Sequence, residues 1–467
     1  MRLVMAEAGA ASATTTDRRA VVAEALRPLA RLALSGLIVL SPFRARVSVL
    51  DERITDTIYI EYTSFLLFVS DVFLIAVLAV WGLSLILQPR KVWLGPALIR
   101  WPVIGLLLAI WASIPLSVDP SLSVYNALRV TLAAGLFVYC ANEIDSLTRL
   151  LPALTLMVTV QALVGIGQVL GQESLGLSAL GEYDLSPDAP SASIVWTEDE
   201  PRLLRGYGLT DHPNLLGGAL ALGLLLLATC LRALRGPVWP GLLTALFALG
   251  VVALLLSFSR SAMVGFAAGA AMIFFLLAYR RDWSSFGAWL GACLASGLIL
   301  AAFLAPYAPY LWARASAGAA LEGSTEARSL NEREALAKVS NEIFIDNPVT
   351  GAGMGALPLA MREAFPEFGF DYQPAHTVLL TAAAETGLPG AFFYGVLLVT
   401  PWVLLWYRRR QLTPELIGVS GALLALSIVG LFDYYTWSRA PGQAWLWITL
   451  GLWCGAYARA LKADADA

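Results

Sequence analysis

The chain has 467 residues, 58% of them hydrophobic and only 14% charged, with a formal net charge of −3. A soluble domain is about one-quarter charged and its apolar runs fall short of a bilayer, so this composition excludes an ordinary soluble enzyme or nucleic-acid-binding module and specifies an integral membrane protein. The small net charge points to no partner, because in a membrane protein the position of each charge matters more than the sum.

Residues 1–28 carry Arg18, Arg19 and Arg27 without a signal-peptide cleavage pattern and are expected as a disordered cytoplasmic tail ahead of a single transmembrane domain over 29–467. Apolar runs bounded by charge or turn residues then predict about twelve helices, at 29–43, 64–88, 96–116, 123–141, 149–170, 213–231, 237–256, 262–279, 284–305, 388–407, 413–432 and 443–460. The expected fold is all-α, a polytopic membrane bundle with a large outer-face loop containing short helices. Cys140, Cys230, Cys293 and Cys454 all lie in apolar runs without metal-ligand spacing and read as packing residues.

With a cytoplasmic N-terminus, the basic connections Arg90-Lys91, Arg232 with Arg235, Arg280-Arg281, Arg408-Arg409-Arg410 and Arg459 with Lys462 all fall on the cytoplasmic side, together with both termini. The outer side receives the long loops 171–212 and 306–387 and the short stretches 257–261 and 433–442, and function is sought there. Residues 376–407 exceed one span and are interrupted at Gly387-Leu388-Pro389-Gly390, which predicts a short interfacial helix over 376–386 and a descending span from 388. The acidic stretch 171–204, with Glu173, Glu182, Asp184, Asp188, Glu198, Asp199 and Glu200, either faces an acceptor or is simply solvated, and reads first as a solvated surface.

Four polar motifs share this outer side. In Arg205-Gly206-Tyr207-Gly208-Leu209-Thr210-Asp211-His212-Pro213-Asn214, the glycines suit a tight approach to the membrane and Pro213 with Asn214 opens a span. Ser257-Phe258-Ser259-Arg260-Ser261 sets an arginine between two very apolar spans, where it must sit at the interface or face water. Asn331-Glu332-Arg333 precedes Asn347-Pro348-Val349-Thr350-Gly351-Ala352-Gly353-Met354-Gly355. His376, one of two histidines, ends a polar segment where the chain turns apolar, and Glu385-Thr386-Gly387 follows it. A titratable imidazole at a membrane surface, beside several arginines, points to acid–base chemistry on an anionic substrate.

In order, spacing and common sidedness these motifs resemble the O-antigen ligase and O-antigen polymerase family of bacterial membrane glycosyltransferases, over roughly residues 200–400 in motifs and over the whole chain in topology. Thr377 departs from the asparagine the family commonly places after the histidine. The resemblance implies a glycosyltransferase that moves a glycan from undecaprenyl diphosphate to an acceptor hydroxyl at the outer face of the cytoplasmic membrane. The acceptor is lipopolysaccharide core in a ligase, the preferred reading, or a second lipid-linked glycan in a polymerase. No cofactor is implied, and the outer loops hold no metal-binding pattern, so guanidinium groups with their bidentate phosphate contacts take the place of a divalent ion. In this scheme Arg260 and Arg333 hold the diphosphate, with Arg205 as a third anion ligand. His376 accepts the hydroxyl proton in one inverting displacement, and Glu385, His212, Asn214 and Ser259 support the site.

Plainer readings stand beside these. Arg260 can be a snorkelling anchor, Arg333 an ion-pair partner of Glu332 or Glu334, and His376 a helix cap, while His212 reads first as a helix-entry residue. Asp71 and Arg129, opposite charges within spans, are expected to pair. Residues 433–437 with Arg439 read as an aromatic belt ahead of a sugar platform. A polysaccharide or lipid transporter is the rival from another class, but it calls for midplane ionisable residues and internal repeats that the sequence lacks.

Overall fold

The computed structural model describes residues 2–49, 57–189, 192–196, 200–231, 238–303, 305–315 and 325–465. Arg232, Arg235, Glu198 and Asp199 lie outside the described residues. The helices, in chain order, are α1 (Arg2–Leu40), α2 (Val69–Leu87), α3 (Ala97–Ala112), α4 (Pro120–Glu143), α5 (Leu151–Gly171), α6 (Pro213–Thr229), α7 (Val238–Leu256) and α8 (Arg260–Tyr279). They continue with α9 (Trp283–Phe303), α10 (Ala308–Ala315), α11 (Thr325–Asp346), α12 (Leu357–Ala364), α13 (Val378–Tyr407), α14 (Pro414–Phe432), α15 (Tyr435–Ser438) and α16 (Ala440–Ala465). Two short antiparallel ribbons complete the fold, β1 (Arg46–Ser48) with β2 (Leu66–Phe68) and β3 (Ile194–Val195) with β4 (Leu203–Leu204).

The molecule is an all-α polytopic membrane protein. Each of the twelve expected apolar stretches overlaps a helix, and among the described residues eight helices are long and apolar enough to cross a membrane. Two others, Pro213–Thr229 and Gly241–Leu256, are apolar but shorter. Residues 2–28, expected as a tail, form the first part of α1.

Helix starts follow local chemistry. Proline opens α4, α6 and α14, and the residue before it, Asp119, His212 or Thr413, accepts a backbone N–H of the first turn. α6 is buried on every side, as a helix without a polar face must be, and α5, α7, α8 and α14 pack around it. α8 and α14 meet through small residues. A Cβ on Gly265 would lie 2.8 Å from the carbonyl oxygen of Ala425, and one on Gly269 would lie 2.5 Å from that of Gly421.

The expected break in the long helix is present at Gly387 (φ 68°, ψ −174°), although the short first segment begins at Val378, two residues later than expected. Asp71 and Arg129 form a bidentate pair, with both N–O distances 2.9 Å, in the first turn of α2 and the third of α4. Asp71 also accepts the Phe68 N–H at 2.9 Å, so the pair fixes the entry of α2.

Charges tie the two ends of the bundle separately. At one end Arg90 meets Glu143 at 2.6 Å, Arg459 meets Glu415 at 3.0 Å, and Arg280 donates to the Arg410 carbonyl at 2.7 Å. At the other end the loops expected on the outer side converge. Asp211 accepts Arg46 at 2.6 Å and Arg439 at 2.8 Å and forms an ion pair with Arg44 at 3.1 Å, while Glu61 accepts Arg46 at 2.5 Å. Burial raises Glu61, but Arg439 and Arg46 outweigh it and bring the carboxyl down to about 2, so it stays ionised.

Candidate functional site

The Arg205 loop is folded inward. Two buried glutamines of α5 hold it: Gln168 Oε1 accepts the N–H groups of Tyr207 and Gly208 at 3.0 and 2.8 Å, and Gln161 Oε1 accepts that of Leu209 at 2.9 Å. The loop glycines therefore serve contact with α5, where a Cβ on Gly208 would lie 2.3 Å from Gln161 Oε1. This corrects the expected approach to the membrane, and the signal available was the pair of glutamines seven residues apart on one helix face.

Arg205 itself is buried. Its Nε donates to the Ser257 carbonyl at 2.9 Å and its Nη2 to Asn214 Oδ1 at 2.7 Å. Asn214 Nδ2 in turn donates to Asp433 Oδ2 at 2.7 Å. The turn that Arg205 grips runs through Phe258, at φ 49°, and buried Ser259 into Arg260, the first residue of α8 and itself part-exposed. A second guanidinium braces that turn, because Arg314 of α10 donates to the Phe258 carbonyl from Nη2 at 3.1 Å.

Arg333 projects from α11 towards the end of α14. Its Nη1 reaches the Phe432 carbonyl at 3.4 Å, and its charge acts on both Asp433 and His376. His376 stands two residues before α13, with its ring edge-on to Tyr434 at 5.0 Å and its buried Nδ1 without a partner. Burial, and then the neighbouring Arg333, push the imidazole down to about 3, so it is neutral at physiological pH. Burial raises the Asp433 carboxyl, and Arg333 and Asn214 oppose that rise.

Arg205, Asn214 and Asp433 thus form one hydrogen-bonded set, with the Ser257–Arg260 turn attached through Arg205 and with the charge of Arg333 acting on Asp433 and on His376. Asp433 and Arg314 were not singled out from sequence. In the sequence Asp433 stands among aromatic residues that mask it, and a lone arginine on an eight-residue helix gives no periodic signal.

The remaining residues take other places. His212 caps α6 through Nδ1, which accepts the Asn214 N–H at 3.1 Å, and its Nε2 meets Ser193 Oγ at 3.0 Å; burial holds it well below its ordinary value. Glu385 is closed off from solvent, with Oε2 accepting Trp437 Nε1 at 2.7 Å. The Gly351–Gly355 segment wraps this carboxylate's helix, with Ala352 N on the Ala384 carbonyl at 2.8 Å and Gly353 N on the Glu385 carbonyl at 3.0 Å. Tyr435 and Trp437 are 2% and 3% exposed, so residues 433–437 form an interior strut and the aromatic-belt expectation is corrected.

Residues 245–395 match the family model described as O-antigen ligase. Over these residues the chain is similar to the O-antigen ligase family. The match runs from the Ser257–Arg260 turn through Arg333 to His376 and Glu385, while Arg205, Asn214 and Asp433 lie outside it and join the site through the fold. No curated protein matches the chain.

Proposed function

We propose that this protein is a ligase-type glycosyltransferase that moves a glycan from undecaprenyl diphosphate to an acceptor hydroxyl at the outer face of the bacterial cytoplasmic membrane. The family supports glycosyltransferase chemistry of the ligase or polymerase type. The observation that carries the finer reading is that the charge of Arg333 acts on both Asp433 and the unpartnered, neutral His376.

The acceptor oxygen attacks the anomeric carbon while the bond from that carbon to the phosphate oxygen breaks, and the diphosphate leaves with the electron pair. His376 takes the proton of the attacking hydroxyl. Arg333 and Arg260, with Arg205 behind them, neutralise the charge that grows on the diphosphate. An arriving diphosphate also offsets the field of Arg333 on His376, so the imidazole becomes a stronger base once the donor is bound. Asp433 holds Asn214 by a hydrogen bond and balances the charge of Arg333 until then.

The basic ends at Arg90, Arg280 and Arg408–Arg410 face the cytoplasm in this reading, which sets the His376 end outside. Reconstituted protein, a lipid-linked repeat unit and either lipopolysaccharide core or a second lipid-linked repeat as acceptor test the proposal and separate ligase from polymerase. Transfer is expected to fall by about 100-fold or more in His376→Ala. Full activity in that variant would remove the assignment of the base.

A further inference from the structure

The surroundings of His376 differ from one neighbour to the next. Towards Arg333 they are cationic; through Tyr434 they become aromatic, with Arg439 over the Tyr62 ring at 5.7 Å on the inner side and the carboxylates of Asp371 and Glu332 further out. From Tyr434 ring contacts continue to Tyr62 at 6.2 Å and from Tyr62 to Tyr59 at 6.5 Å. Tyr59 is 48% exposed, and its hydroxyl donates to Asp371 Oδ2 at 3.1 Å. Gln373 bridges the cluster, with Nε2 donating to Glu332 Oε1 at 2.6 Å and Oε1 accepting the Tyr434 hydroxyl at 2.8 Å.

A backbone connection already ties these distant segments, since Tyr372 N donates to the Thr57 carbonyl at 2.9 Å and Ile58 bridges Tyr372. The outward ring of Tyr59 and the exposed carboxylate of Asp371 are therefore not needed to hold the loops together. An aromatic face binds the apolar face of a sugar ring, and carboxylate and amide groups satisfy its hydroxyls. The same carboxylates disfavour phosphate. His376 Nδ1, buried and unpartnered beside Tyr434, adds an acceptor at the inner end of the row.

We infer that Tyr59, Tyr434, Asp371, Glu332 and Gln373 form the acceptor subsite, taking an uncharged, hydroxyl-rich saccharide and leading one of its hydroxyls to His376. The inference rests on the glycosyltransferase reading for its reaction, but not for its binding chemistry.

The test uses the full chain in lipid nanodiscs. Two probes are titrated separately, a dephosphorylated core oligosaccharide and farnesyl diphosphate, and acceptor and donor KM values are measured where transfer occurs. Tyr59→Ala and Asp371→Asn are each expected to weaken the saccharide about tenfold and leave farnesyl diphosphate unaffected, whereas Tyr59→Phe retains most of the affinity. Unchanged saccharide binding in both variants, no saccharide binding by the unaltered protein, or equal loss of both probes would overturn the subsite. Saccharide binding that depends on Tyr59 without any glycan transfer would remove the proposed reaction and leave the subsite standing.

Discussion

Arg333 couples the two halves of the proposed reaction, because its charge both attracts diphosphate and depresses the His376 imidazole. A histidine held down to about 3 is neutral through the physiological range and loses its basic form only in strong acid. The acidic limb of kcat/KM, which reports the free enzyme, should therefore lie well below the ordinary histidine value. Arg333→Gln removes one of the two depressing causes, so that limb is expected to move to higher pH while the rate falls about 100-fold. A pH–rate series on the purified variant checks both, and an unmoved limb would separate Arg333 from the base. Arg260→Ala should raise the donor KM about tenfold or more and leave the limb where it is. Unchanged donor affinity there would remove Arg260 from the anion site and return it to the role of interfacial anchor.

At the scale of elements, the broken α13 places His376 and anchors the segment behind it. Its first segment holds His376 at its entry and Glu385 against Trp437, and the break at Gly387 lets residues 348–353 lie along the backbone. A side chain at Gly387 meets two obstacles, a left-handed φ and the Val349 carbonyl oxygen 2.2 Å from the new Cβ. A positive φ with ψ near 180° is almost confined to glycine and costs about 1–3 kcal/mol for a residue with a Cβ, and the clash adds to it. Gly387→Ala is thus expected to lower the unfolding temperature in detergent clearly, and an unaltered transition would contradict this account. The proline and glycines of Asn347–Gly355 belong to the same device: Leu388 N donates to the Pro348 carbonyl at 2.8 Å, and Gly351, Gly353 and Gly355 all have positive φ. That motif shapes the helix break.

Over the whole molecule, the cluster of Arg46, Asp211, Glu61 and Arg439 joins the N-terminal, central and C-terminal thirds of the chain at the His376 end. Their side chains are 6–12% exposed, so a charge stripped of its partner there stays poorly hydrated. Asp211→Asn should destabilise the fold by about 3 kcal/mol or more, and adding Arg439→Gln should cost less than the sum of the single changes. Thermal unfolding of the two single variants and the double variant measures this, and strict additivity would show that the pair is not coupled.

Composition and apolar spacing were enough to determine a helical membrane protein, the location of the helices, the common end of the long loops and the break near Gly387. Each of these follows from a local or periodic property: bilayer thickness, unsatisfied backbone groups in lipid, and the φ that glycine permits. The motifs also named Arg205, Arg260, Arg333 and His376. Only the tertiary structure decided that Asn214 links Arg205 to Asp433, that Arg314 braces the Phe258 turn, that Glu385 is walled in by Trp437, and that Tyr59 reaches Asp371. Those partners lie far apart in the chain, and a hydrogen bond or a desolvated charge depends on distance in space, which no spacing along one strand of sequence encodes.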